Sequence, residues 1–239
     1  IKYYKVQIYD KSKRSFFSYR IRNKYDFTTI NEIYFHQSYE IKKFKFFEKI
    51  NKDINNEKLL IVDCGSNIGC STNFFLRNYE NSRIISIEPD KGNFNLLNKN
   101  IHNLERVELI NSAVSNKAIT FKVIDDPHIS NDYRGKNIIE TSSINSSKAI
   151  TINQILSNEE NKNLYPYLIK IDIEGHENQL FENNTEWIDQ FKIIIIELHD
   201  WMFPETSNSK NFLNKISTSM NKYNRDLIIK GENLISVKY

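Results

Sequence analysis

Leu59-Leu60-Ile61-Val62-Asp63-Cys64-Gly65-Ser66-Asn67-Ile68-Gly69 joins a short, wholly apolar run to a polar loop punctuated by glycine, and residues 71–79 then take on helical character. An apolar run without alternation reads as a strand covered on both faces, and a strand feeding a helix through such a loop is the first unit of a doubly wound sheet. The unit repeats at once: 84–87 is apolar, ends in Glu88-Pro89-Asp90, and leads into a helical segment carrying Phe94, Leu97 and Ile101. Further strands are expected at 107–110, 119–123, 168–173 and 191–198. Residues 227–229 and 234–237, around Lys230-Gly231-Glu232-Asn233, read as a closing antiparallel hairpin. The pattern predicts an α/β fold with a mostly parallel, doubly wound sheet.

Upstream, 4–9 and 16–21 alternate as strands do, with a polar turn at 10–14 between them. Tyr39, Phe44, Phe47 and Ile50 recur near a period of 3.6, which predicts a helix over 38–50. Residues 1–58 are therefore expected to form a hairpin and helical cap on a main domain at 59–239. The cap is chemically distinct. It holds 14 Lys and Arg against 7 Asp and Glu, a net of +7, whereas the remainder carries 19 against 23, a net of −4. Its 14 Tyr and Phe are interleaved with those bases, either as a surface for an anionic or sugar-like partner or as the core of the cap itself. An overall net charge of +3 is too mild for a nucleic-acid footprint. The longest pure apolar runs, 59–62 and 193–196, are strand-sized, which argues against a membrane span, and two cysteines are too few for a disulfide scaffold. A reducing, cytoplasmic setting is expected. Because the chain starts at Ile1, it reads as a piece of a longer, multidomain chain. Residues 125–149 are polar and sit between two strands, the place for a lid or substrate wall, with His128 as a substrate contact.

In an open α/β sheet, ligands bind beyond the carboxyl ends of the strands, where the first strand feeds its helix. Gly65 and Gly69 let backbone approach a ligand there, but the loop is neither the three-glycine dinucleotide fingerprint nor a P-loop. Glu88, 25 residues beyond Asp63 at the end of the second strand, is placed to accept hydrogen bonds from both hydroxyls of a ribose. The pair points to a nucleoside without phosphates.

These residues resemble class I S-adenosylmethionine-dependent methyltransferases, and within them the FkbM-type group, over about residues 38–200. The acidic cofactor loop of that group stands here as Asp63-Cys64-Gly65-Ser66-Asn67-Ile68-Gly69, its Glu-Pro pair as Glu88-Pro89 and its Leu-x-x-Asn-Ile segment as Leu97-Asn98-Lys99-Asn100-Ile101. Ala113-Val114-Ser115, Lys170-Ile171-Asp172-Ile173-Glu174-Gly175 and Ile195-Ile196-Glu197-Leu198-His199 match its later elements in order. Two positions depart: Ser66 replaces the usual alanine, and Asn153 stands where an aspartate is usual. The resemblance implies a Rossmann-like sheet of about seven strands and S-adenosylmethionine as cofactor. It implies that Gly65, Ser66, Asn67 and Gly69 line the methionine part, that Asp63 meets its ammonium and that Glu88 holds the ribose. Pro89 would pack on the adenine, with Ser112 and Ala113 at its edge. Glu40 corresponds to an upstream glutamate of the group that closes over the cofactor, or is an ordinary solvated helix residue. The acceptor implied is a sugar or glycan hydroxyl.

Methyl transfer from a sulfonium is an in-line displacement, so the protein must align the acceptor and, for a hydroxyl, accept its proton. By strand alternation, Lys170, Asp172 and Glu174 share one side, as do Glu197 and His199. If their strands are neighbours, Asp172, Glu174 and His199 converge. His199 is then the candidate base, oriented by a carboxylate, with Asp172 or Glu174 as alternatives and Lys170 with Glu197 as an internal ion pair. A divalent metal on Asp172 and neighbouring oxygens fits the chemistry, but spacing alone selects none, and no metal ligand is assigned. Cys64 and Cys70 lack the partners zinc requires and read as small packing residues. The other histidines, His36, His102 and His176, read as solvated or locally hydrogen-bonded. Two other functions remain open: a ribose methyltransferase, which would bind RNA through 1–58 in a salt-dependent way, and an inactive module of a larger polypeptide. The Asp/Asn-Pro-Pro motif of amino-methylating nucleic-acid enzymes is absent, which leaves the ribose methyltransferase as the harder of that class to exclude, and an intact acidic loop speaks against the inactive module.

Overall fold

The computed structural model describes residues 2–52, 54, 57–102, 104–125, 136–143 and 146–239; His128 lies outside them. Strands β1 (Tyr4–Asp10) and β2 (Ser15–Ile21) pair as an antiparallel hairpin, as their alternation predicts. The expected helix at 38–50 is not formed over that span. Helix α1 (Lys24–Ile30), capped by the Asn23 side chain, runs into a π-helical stretch at Asn31–Phe35, and only α2 (Lys45–Asn51) remains of the expected segment. The reasons are local. Gln37 has a left-handed backbone (φ 58°) and Phe44 is extended, so the helix cannot begin before Lys45. In α1 only Asp26 and Ile30 are buried, too few for an apolar stripe, and a buried Arg22–Asp26 ion pair fastens it instead.

The main domain then runs β3 (Leu59–Cys64), α3 (Cys70–Asn78), β4 (Ser82–Ile87), α4 (Lys91–Asn100), β5 (Val107–Ile110), β6 (Thr120–Asp125), β7 (Lys136–Glu140), β8 (Ser147–Lys148) and α5 (Ile152–Ser157). It continues with β9 (Tyr165–Ile171), α6 (Glu177–Leu180), β10 (Ile193–Glu197), α7 (Lys210–Lys222), β11 (Arg225–Lys230) and β12 (Asn233–Lys238). The main sheet has seven strands in the order β11-β12-β10-β9-β3-β4-β5. Its five strands from β10 to β5 are parallel, and β12 and β11 add the antiparallel hairpin. The fold is therefore the mostly parallel, doubly wound α/β sheet that the apolar runs predicted. Residues 119–123 do form a strand, but β6 belongs to a separate three-stranded sheet with β7 and β8, both within the stretch expected to be a loop.

Both faces of the main sheet are covered. Ile61, Ile84, Leu168, Ile193 and Ile195 face a core shared with α3, α4 and the cap residues Tyr19, Ile30, Tyr39 and Phe46. Leu60, Val62, Ile85, Ile169, Ile194 and Ile196 face a second core with Trp187, Phe212 and Ile216. Continuous Ile and Val thus satisfy two cores at once, each residue burying its side chain on the face its place in the pleat dictates. The cap aromatics divide between the two roles proposed for them: Tyr19, Tyr39 and Phe46 are core, while Tyr4, Tyr9, Phe16, Phe27 and Phe35 are exposed. Among the described residues, no helix is long and apolar enough to cross a membrane.

Candidate active site

Strand register aligns the site. Cys64 stands opposite Ile87 and Ile171, and Ile171 opposite Ile196. The next residue on each strand, Gly65, Glu88, Asp172 and Glu197, therefore lies in one row at the carboxyl edge of the sheet. This row straddles the switch point at β3, from which the chain winds to β4 and β5 on one side and to β9 and β10 on the other.

The loop after β3 is built from backbone that glycine permits. Gly65 has φ +81°, and a Cβ there would lie 1.8 Å from the Asp172 carbonyl oxygen, so no side chain fits. Ser66 Oγ donates to the Asp63 carbonyl (2.9 Å) and accepts from Ile87 N–H (3.0 Å), tying the loop to β4. Asp63 is fully buried beneath the loop: its Oδ2 accepts from the Ser71 and Thr72 hydroxyls at 2.7 Å each, and its Oδ1 lies 3.6 Å from Lys170 Nζ without a hydrogen bond. Lys170, equally buried, donates to the Gly65 carbonyl (2.7 Å) and pairs with Asp172 (3.2 Å). This buried Asp63–Lys170–Asp172 chain sets the shape of the loop from behind.

One cavity is lined by Gly65, Asn67, Ile87, Glu88, Pro89, Asn93, Ser112, Ala113, Val114, Ile138, Asp172, Ile173, Glu174 and His176. Glu88, 4% exposed, accepts from Asn67 N–H (2.8 Å) through one carboxylate oxygen and from Asp90 N–H (2.9 Å) through the other. Burial outweighs these bonds and pushes its pKa up to about 7. Asn93 Nδ2 lies 3.4 Å from the same carboxylate, and its Oδ1 accepts from Arg22 of the cap (2.7 Å).

A second cavity, of about 300 Å³, opens on the other side of the shared residues Gly65, Asn67, Asp172 and Glu174. It is lined further by Glu32, Ser38 and Tyr39 from the cap and by Lys170, Glu197, His199, Trp201 and Glu232. His199, 2% exposed, makes a 2.8 Å hydrogen bond through Nδ1 to buried Glu177. Its Nε2 lies 3.7 Å from Asp172, 3.7 Å from Glu174 and 3.6 Å from Glu197. Burial works against charge on the ring, but the Glu177 hydrogen bond and the Asp172 and Glu174 carboxylates outweigh it and lift its pKa to about 10. Burial, and then the Asp172 carboxylate, pushes Glu174 and Glu197 up to about 8. These contacts favour the protonated ring at neutral pH, whereas the expected base would be the neutral ring.

Residues 63–224, more than half of the chain, match the family model of the FkbM methyltransferase domain. The chain belongs to the FkbM methyltransferase family. It is 24% identical over 173 residues to the hexuronic acid methyltransferase AglP of Haloferax volcanii, a match that covers 70% of this chain and 67% of that protein. Among solved structures it resembles a methyltransferase from Geobacter sulfurreducens, with 12% identity, a TM-score of 0.42 and coverage of 91% of this chain and 88% of that one. It also resembles the fibrillarin pre-rRNA processing protein of Methanococcus jannaschii, with 11% identity, a TM-score of 0.39 and coverage of 76% and 66%.

In this FkbM methyltransferase, the structure brings Asp172, Glu174 and His199 together, as strand alternation suggested, and lines the first cavity with Gly65, Asn67, Glu88, Pro89, Ser112 and Ala113. Ser66 lines the second. Three expected residues stand elsewhere. Asp63 is walled off under the loop. Gly69 (φ +91°) faces Leu97 and Ile101, where a Cβ would come within 2.7 Å of Leu97, so it serves helix packing. Glu40 lies in a turn, not a helix, with its carboxylate on Lys42 N–H (2.8 Å), and lines neither cavity; Tyr39 and Glu32 do so instead. Asn153, where an aspartate was usual, lies outside both cavities, its amide near the Asn184 carbonyl (3.3 Å). Lys170 pairs with Asp63 and Asp172 rather than with Glu197, the partner expected for it. Cys64 and Cys70 are buried, one in each core. Residues that sequence reasoning missed include Glu177, Trp201, and His176, whose buried Nδ1 has no hydrogen-bond partner and which lines the first cavity. The Glu-Gly-His-Glu run at 174–177 was the available signal for Glu177 and His176.

Proposed function

We propose that this FkbM methyltransferase transfers the methyl group of S-adenosylmethionine to a hydroxyl of a sugar or glycan. The observation that carries the reading is the floor common to the two cavities: Gly65, Asn67, Asp172 and Glu174 line both, so a nucleoside held in one and an acceptor held in the other meet at those residues. The first cavity suits an adenosine. Glu88 Oε2, which accepts only from Asn67 N–H, keeps a lone pair for a ribose hydroxyl, Pro89, Val114 and Ile138 supply apolar walls, and Ser112, Ala113 and His176 line its edge. S-adenosylmethionine, when bound, supplies an electrophilic methyl group.

The chain's own part is to orient and to move a proton. Asp172, Glu174 and Glu197 surround the point where a hydroxyl would lose its proton, and His199, held by Glu177, fixes them around a positive charge. Trp201, 69% exposed on the rim, offers a flat face of the kind that stacks on the C–H surface of a sugar ring. The relative that acts on a hexuronic acid supports a carbohydrate acceptor. The test is to incubate the chain and S-adenosylmethionine with uronic acids, neutral hexoses and short RNA, and to read methylated product by mass spectrometry. A methyl ether on a sugar supports the reading, whereas methylation of RNA alone, or none of any sugar by a chain that binds the cofactor, refutes it.

A further inference from the structure

Around His199 the described side chains carry more negative charge than they balance. Asp63, Asp172, Glu174, Glu177 and Glu197 gather about two basic groups, Lys170 and His199, and Lys170 is already engaged by Asp63, Asp172 and the Gly65 carbonyl. The imidazole is almost wholly buried, and its Nδ1 is fixed by Glu177, which leaves Nε2 aimed into the second cavity with no hydrogen bond of its own. Its neighbours Asp172 Oδ1 and Glu174 Oε2 stand at 3.7 Å, too far for hydrogen bonds. The three donor atoms nonetheless all lie within 4.8 Å of one another. A cation with bonds of about 2.1 to 2.4 Å to ligands at right angles holds those ligands roughly 3.0 to 3.4 Å apart, so the two 3.7 Å separations from Nε2 need to close by about 0.3 to 0.7 Å.

We infer that Asp172, Glu174 and His199 bind a divalent cation, with Glu177 as the carboxylate that orients the histidine from behind. A ligating histidine whose other nitrogen is held by a carboxylate is the arrangement that metal sites use to fix ring orientation. Two carboxylates and one imidazole, with both thiols buried in the cores, select a hard cation such as Mn²⁺ or Mg²⁺ over thiolate metals. The cation takes the place of the proton on Nε2, and it reverses the field met by an acidic sugar, which would otherwise face Glu32, Glu197 and Glu232 as well. Glu197, outside this ligand set, lines the same cavity. The inference deepens the methyltransferase reading of this site and rests on it.

The experiment titrates Mn²⁺ into the chelator-treated chain and follows free Mn²⁺ by electron paramagnetic resonance, with calorimetric titration of S-adenosylhomocysteine on the same sample. One Mn²⁺ per chain is expected, weakened about tenfold or more in Asp172→Asn, Glu174→Gln and His199→Gln. Each variant's fold is checked by circular dichroism. Glu174 lies on the cavity wall, so Glu174→Gln keeps the test decisive if His199→Gln does not fold. Native chain that binds S-adenosylhomocysteine but no Mn²⁺ overturns the metal site and leaves the methyltransferase reading standing. Mn²⁺ binding unchanged in folded Asp172→Asn and Glu174→Gln overturns it too. Mn²⁺ bound at these residues without S-adenosylhomocysteine binding supports the site and counts against the cofactor assignment.

Discussion

Glu88 offers the sharpest test of the nucleoside cavity, because the same burial that shapes it also sets a pH dependence. Its pKa is pushed from an ordinary 4.5 up to about 7. Between those values the folded chain keeps a proton that the unfolded chain has released. This group's stabilising contribution is therefore fully present below pH 4.5 and is lost as the pH rises through 7, by about 3 kcal/mol in all. Ribose hydroxyls donate, so the form that binds them is the carboxylate. At pH 6 roughly a tenth of the sites are ionised and at pH 8 roughly nine-tenths, so S-adenosylhomocysteine should bind about tenfold more weakly at pH 6. Glu88→Gln removes the titration and also breaks the site. Both oxygens accept backbone N–H groups, from Asn67 and Asp90, so the amide NH₂ must face a donor whichever way it turns. The loss should be about 1.5–3 kcal/mol, or roughly 10- to 150-fold in Kd. Isothermal titration at pH 6, 7 and 8 with native chain and variant reads both effects, and urea denaturation at the same pH values reads the stability slope. Native affinity that changes less than twofold from pH 6 to 8, or a folded Glu88→Gln variant that binds like native, would refute the assignment of Glu88 to the ribose.

Other expectations follow from single contacts. Lys170→Met removes the cation beside Asp63 Oδ1, which makes no hydrogen bond, and should cost about 3–5 kcal/mol in urea denaturation; a loss below about 1 kcal/mol would mean that Asp63 is balanced in some other way. Asn100 accepts from Arg20 N–H (2.8 Å) and donates to the Arg20 (3.1 Å) and Ile68 (2.9 Å) carbonyls, joining cap to cofactor loop. Asn100→Ala should lower stability by about 1–3 kcal/mol, seen as a fall in Tm, and an unchanged Tm would show that this amide does not hold the cap to the loop. Trp201→Ala should raise the sugar acceptor's KM by roughly tenfold, with S-adenosylhomocysteine affinity unchanged, because the ring faces only the second cavity; equal loss of both would make Trp201 a structural residue.

The parallel strands were legible because burial on two faces leaves a mark that does not depend on context: every residue of 193–196 is isoleucine, and alternate residues enter different cores. The row Gly65, Glu88, Asp172 and Glu197 was legible for the same reason, since each residue stands at or just beyond the end of such a strand. What failed was local structure held from a distance. Helix α1 has no apolar stripe and depends on Arg22 and Asp26, whose ion pair continues through Asn93 to Glu88, so its stability resides in the site it covers. Glu40 was misplaced because the period linking Tyr39 to Phe44 and Phe47 is real, yet Gln37 and Phe44 interrupt the backbone that would have made it a helix. Asp63 was assigned to the cofactor's ammonium through the family resemblance; in the structure Lys170 stands directly opposite it in register, 3.6 Å from its Oδ1. The role of His199 was the least legible of all. Strand alternation brings it beside Asp172, but the first group that favours its protonated form is Glu177, on a helix of four residues reached through the left-handed turn at Glu174 (φ 53°) and Gly175 (φ 97°). No spacing rule reports that turn. Phe203 packs closely on it, since a Cβ on Gly175 would lie 2.1 Å from its ring, so the turn that leads to Glu177 leans on an apolar contact made 28 residues along the chain.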